Sequence, residues 1–126
     1  MEKQIPKGLR YTFLVAGIVF LVDGLSDLLF PNLFPSIFGT PRLDPGLYRL
    51  LGAATLGFTA SSWLAYMETA WDRVRIVVLA DIVWTILGTL ALLWLVFVEG
   101  RPMTELGYAI LLGGFAAAFC FFYFRN

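Results

Sequence analysis

Apolar residues dominate the chain in four long runs, about 9–30, 47–66, 74–98 and 103–124, separated by short polar or proline-bearing breaks. Each run is long enough to cross the ~30 Å hydrocarbon core of a bilayer as a helix. Lipid offers no partner to a bare peptide group, and runs this long and rich in Ala, Leu and Gly suit helices rather than short alternating strands. The pattern therefore predicts an all-α, polytopic membrane protein of four transmembrane helices in an antiparallel bundle, one domain over residues 1–126. Between the first two helices, the segment 31–45 contains Pro31, Pro35, Pro41 and Pro45, which forbid one continuous helix. Its aromatic and aliphatic residues suit the membrane interface. Asp44 before Pro45 is a helix-start signal, an acceptor side chain followed by a residue whose missing N–H is not needed there. The breaks METAWD and EGRP are short, so helices two and three, and three and four, should be antiparallel neighbours.

Composition supports this reading: of 126 residues, 60% are hydrophobic, 17% aromatic and only 14% charged, far from the balance of a soluble domain. Nine basic and nine acidic residues cancel, which removes the electrostatic basis for nucleic-acid binding. The single cysteine, Cys120, allows neither an internal disulfide nor a cysteine metal site. Lys3, Lys7 and Arg10 lead into about 20 apolar residues with no evident small-residue cleavage site, so this run is expected to be a transmembrane helix rather than a cleaved signal.

Basic residues set the expected orientation. With both termini and the loop between helices two and three on one side, Lys3, Lys7, Arg10, Arg73, Arg75 and Arg125 lie there, against Arg42, Arg49 and Arg101 on the other. That asymmetry places both termini in the cytoplasm, with the protein in the cell inner (plasma) membrane. Tyr11, Trp63, Tyr66, Trp71 and Tyr123 would then form an inner aromatic belt, and Tyr48, Trp94 and Tyr108 an outer one.

The candidate functional residues are the polar ones inside the spans: Asp23, Asp27, Arg49, Thr59 and Asp81. At 100° per residue, Phe13, Ala16, Phe20, Asp23 and Asp27 fall on one stripe with Gly17 and Gly24 beside it, a face that should meet protein. Asp27 lies ~10 Å outward of the segment midpoint and Asp23 ~4 Å. Arg49, in the first turn of helix two, matches Asp27 in height, so an Asp27–Arg49 ion pair is expected, since either charge alone at this depth costs ~3 kcal/mol. Asp23 would share that guanidinium, sit protonated, or find donors on the stripe Gly52, Thr55, Thr59 and Ser62. Asp81 lies ~7 Å inward of its midpoint, level with Thr59 and Ser62, with Thr85 and Gly88 continuing its face. It is expected either to be hydrogen-bonded to Thr or Ser or to serve as a functional carboxylate. In helix four, Gly107, Gly114 and Ala118 form a smooth stripe, and Gly113-x-x-x-Ala117 suits close helix packing, within the chain or across a homodimer.

The sequence lacks His altogether, which excludes a His-based triad, an H-E-x-x-H zinc site and a histidine-ligated haem. There is no phosphate-binding or dinucleotide-binding glycine motif, and no enzyme activity, cofactor or metal is expected. The stretches LLFPNLFPSIFG and DPGLYRLLGAATLGFTASSWLAY, over Leu9 to Tyr66, resemble small bacterial four-helix membrane proteins of the DoxX-like or unknown-function type. The resemblance implies a four-helix fold and service as a subunit of a larger membrane complex, with Arg49 carried over as the charge opening helix two. Two functions follow as expectations: a non-catalytic accessory or scaffold subunit with a membrane-protein partner, or a small proton-coupled transporter or hydrophobic-ligand-binding bundle using the intramembrane carboxylates.

Overall fold

In the computed structural model, residues 3–39 and 44–125 are described. They form five helices: α1 (Lys7–Leu29), α2 (Leu33–Phe38), α3 (Pro45–Met67), α4 (Trp71–Phe97) and α5 (Glu105–Arg125). The long helices follow the apolar runs, each starting within three residues of its expected position. The fifth arises inside the proline-bearing segment, where the short α2 ends at Gly39, whose φ of 65° lets the chain turn left-handed. Residues 40–43 of that segment, including Arg42, lie outside the described residues, as does Asn126. Asp44 caps α3 as its sequence suggested, its side chain accepting from the Leu47 N–H at 3.3 Å with Pro45 at the first helical position.

Three of the described helices, α1, α4 and α5, are long and apolar enough to cross a membrane. The fourth expected span, α3, matches α1 at 23 residues, but Arg49, Thr55, Thr59, Ser61 and Ser62 make it more polar and it is not among these three. What sits inside and outside also fits lipid as the solvent. Asp27, Asp81, Thr55, Thr59, Ser62 and Thr85 are buried, while Ile76, Ile110 and Phe124 are 75–80% exposed. Lipid tails are as apolar as Leu, so large aliphatic side chains gain little by turning inward, whereas polar ones gain by meeting protein.

Helix α1 runs antiparallel to both α3 and α5, as successive contacts show. From one end of α1 to the other, Arg10 meets Tyr66, Gly17 meets Trp63 and Gly24 meets Gly52 of α3. On its α5 side, the Phe122 ring lies over Gly8, Phe13 meets Phe119 and Phe20 meets Phe115. Gly88 and Gly113 carry the packing of α4 on α5, against Leu112 and Thr89. Phe58 stacked on Trp84, centroids 4.9 Å apart, joins α3 to α4. These aromatics occupy a core that also holds Leu9, Ala16, Val74 and Val78.

Both ends are tied. The segment before α1 pairs with the α3–α4 turn: Ile5 N–H donates to the Thr69 carbonyl at 3.0 Å, and Trp71 N–H to the Lys3 carbonyl at 2.8 Å. The Arg10 guanidinium donates twice to the Tyr66 carbonyl, at 3.3 and 3.2 Å, and sits over the Tyr66 ring. Trp71 in turn packs on Tyr123, so the beginning, the α3–α4 turn and the end of α5 share one side. At the opposite side, Thr104 Oγ1 donates to the Phe38 carbonyl at 3.1 Å, joining α2 to the start of α5.

The closest approach is between α1 and α3. A Cβ on Gly52 would lie 2.7 Å from the Gly24 carbonyl oxygen and 2.7 Å from the Leu28 nitrogen. Backbone cannot move aside as a side chain can. Gly52→Ala should therefore destabilise the protein by about 1–3 kcal/mol in an unfolding titration in detergent. Gly57→Ala, whose methyl meets open space, should be neutral or stabilise by up to about 1 kcal/mol.

Candidate functional site

Two separate polar clusters hold the intramembrane carboxylates. The first lies where α1 and α5 face each other, towards the end that carries α2. The α1 stripe is buried as its periodicity suggested, through Phe13, Ala16, Gly17, Phe20, Gly24 and Asp27, with Asp23 half-buried. The Asp23 partner comes from α5: Tyr108 Oη donates to Asp23 Oδ2 at 3.2 Å. Asp27, only 5% exposed, lies within electrostatic range of both Asp23 and the Tyr108 hydroxyl.

Two expectations are corrected here. Arg49 is exposed, and among the described residues the ion pairs are Arg73–Glu68 and Arg101–Glu105, neither of which involves Arg49 or Asp27. Matching height is not matching face. At helical spacing Arg49 stands roughly a quarter-turn from the stripe through Gly52, Thr55 and Thr59, and the Gly24–Gly52 contact leaves no gap for a long side chain between α1 and α3. The second correction concerns the donors to Asp23. Gly52, Thr55, Thr59 and Ser62 are all buried, but Thr55 and Thr59 donate within α3, to the Leu51 carbonyl at 2.8 Å and the Thr55 carbonyl at 3.2 Å. Tyr108, assigned to an outer aromatic belt, turns inward instead. Trp71, assigned to the inner belt, is buried in the core. The signal available in the sequence was helical spacing: Tyr108 shares a face with the buried Leu112, Phe115 and Phe119.

The second cluster centres on Asp81, 2% exposed. The expected hydroxyl bond to its carboxyl is absent: Thr85 Oγ1 donates to the Asp81 main-chain carbonyl. Asp81 Oδ2, Ser62 Oγ and Trp84 Nε1 are all buried without a hydrogen-bond partner. The Trp84 indole acts on the Asp81 carboxyl from one turn away, short of hydrogen-bond geometry. The register set by Phe58 on Trp84 brings Ser62, one turn further along α3, level with Asp81 on antiparallel α4. Phe20 closes over this layer, its ring 5.2 Å from Trp84 and 6.5 Å from Phe58.

The structure thus brings together Asp23 and Asp27, places Thr59 in the same α3 stripe as Ser62 beside the Asp81 layer, and sends Arg49 to the surface. Among the described residues no group of three or more His, Cys, Asp or Glu is placed to hold a metal ion. Compared with known proteins, the chain matches no family model, no curated protein and no solved structure.

The Asp23–Tyr108 bond is the one side-chain hydrogen bond that ties α1 to α5 among those described. Tyr108→Phe should lower unfolding stability by about 1 kcal/mol. In a double-mutant cycle with Asp23→Asn the two changes should couple rather than add; strict additivity would show that the hydroxyl and carboxylate do not interact.

Proposed function

We propose that the protein is a small, non-catalytic accessory or scaffold subunit of a membrane complex, of the kind the DoxX-like resemblance implies. In this reading α1, α3, α4 and α5 form a four-helix antiparallel bundle in the cell inner membrane, with α2 at the outer surface and both termini in the cytoplasm. The positive-inside asymmetry supports the orientation: Lys3, Lys7, Arg73, Arg75 and Arg125 belong to the side where the chain start, the α3–α4 turn and the end of α5 meet.

The observation that carries the subunit reading is the placement of Arg49. It lines a shallow, mostly apolar groove between α2 and α3, where Leu29, Phe30 and Leu33 stand beside the polar Asn32 and Ser36, and it has no ionic partner among the described residues. A guanidinium at a membrane boundary, beside amide and hydroxyl groups, suits a carboxylate on a partner protein. A photo-crosslinking residue at Asn32 should give one defined protein adduct in native membranes, and Arg49→Ala should abolish it without loss of helix content. The same residue at lipid-facing Ile76 should give lipid adducts only. Lipid adducts alone from position 32 would refute the subunit reading.

A second reading, a proton-coupled carrier, is favoured by the three unpartnered groups around Asp81. Asn retains the shape and hydrogen-bonding capacity of Asp without its charge. For a scaffold, purified protein and its Asp81→Asn variant in liposomes should show the same absence of substrate-driven proton movement. A flux present in the native protein and abolished in a folded Asp81→Asn variant would establish the carrier instead.

A further inference from the structure

A second groove, apolar and open, runs along the outside of α1 and α5, lined by Tyr11, Val15, Ile110, Gly114, Phe115 and Ala118 among others. Its floor is low at Gly114, where an added Cβ would meet nothing within 4 Å. From Ile110 to Ala118 the groove extends ~12 Å along α5, enough to seat much of one acyl chain. Cations stand at the end nearest the termini. Lys7 is one turn before Tyr11 on α1, and Arg125 continues the Gly114 and Ala118 face of α5 at helical spacing. Phe122 packed over Gly8 fixes these two helix ends side by side. Lys7 and Arg125 are both exposed, and neither forms an ion pair among the described residues. The Arg125 guanidinium rests 5.4 Å above the Phe121 ring, one turn beyond Ala118.

Positive charge at the mouth and hydrocarbon-lined depth below it match the polarity of an anionic phospholipid. A second copy of the chain paired symmetrically across this groove would instead bring Lys7 and Arg125 towards their own counterparts. We propose that the groove is a binding site for one anionic phospholipid, with an acyl chain along Val15, Gly114 and Ala118 and the headgroup phosphate between Lys7 and Arg125. Tyr11, 62% exposed and one turn from Lys7, would place its amphipathic ring at the headgroup region. This site is distinct from the Arg49 groove and independent of the subunit reading.

Native mass spectrometry of the full chain in mild detergent tests it, using phosphatidylglycerol and phosphatidylcholine of identical acyl chains as probes. Two cations at the membrane surface predict roughly thirtyfold preferential retention of the anionic lipid. Lys7→Gln combined with Arg125→Gln should bring that preference close to unity with helix content unchanged. Gly114→Phe, which fills the groove, should reduce retention of both lipids. The proposal is overturned by equal retention of the two lipids by the native protein, by a preference that survives the charge substitutions, by retention that Gly114→Phe leaves intact, or by a lipid-free dimer that Gly114→Phe disrupts.

Discussion

The contact between α1 and α3 at Gly24 and Gly52 governs the rest of the arrangement. In lipid there is no hydrophobic drive to bring helices together, so association depends on dispersion contact and on polar groups finding protein. Two glycines allow main chain to touch main chain, and this closeness has consequences on both sides of the contact. It buries Asp27 next to the crossing, and it closes the space through which Arg49 would have reached that carboxylate. The charge on α3 is consequently turned outward, where it becomes a surface feature.

The two ends of the molecule are closed by different chemistry. At the side shared by the termini, main-chain bonds from Lys3 and Ile5 to the α3–α4 turn are reinforced by Arg10, whose guanidinium satisfies the Tyr66 carbonyl near the end of α3. Terminal helix carbonyls have no partner within their own helix, and a cation there also complements the helix dipole. The other side relies on side-chain contacts, Thr104 to Phe38 and Arg101 to Glu105. It is also the side that carries the open groove at Arg49.

Between the ends, an aromatic layer of Phe20, Phe58, Trp84 and Phe115 separates the Asp23–Asp27 cluster from the Asp81 cluster. The Asp81 carboxyl is thereby kept apart from the Asp23–Asp27 pair, which limits repulsion between the two clusters in a medium of low dielectric. The Asp23 carboxylate has a phenol donor, whereas the groups around Asp81 remain unmatched.

Local signals in the sequence determined the all-helical class, the long helices to within a few residues, the buried α1 stripe from Phe13 to Asp27, the small polar stripe of α3, and the Asp44 cap. Each depends on interactions local to one helix: apolar spacing, capping geometry and backbone satisfaction in lipid. Tertiary structure decided which carboxylate met which donor. Sequence could give Arg49 and Asp27 the same depth, but pairing also needs the same face and a gap between helices, and both were fixed by how closely α1 and α3 approach. Likewise Tyr108 found Asp23 because antiparallel α5 brought residues 85 positions apart into register, and Thr59 turned to its own helix because the i−4 carbonyl was always within reach. The depth of a polar group follows from counting residues along one helix, whereas its partner follows from the rotation and separation of two.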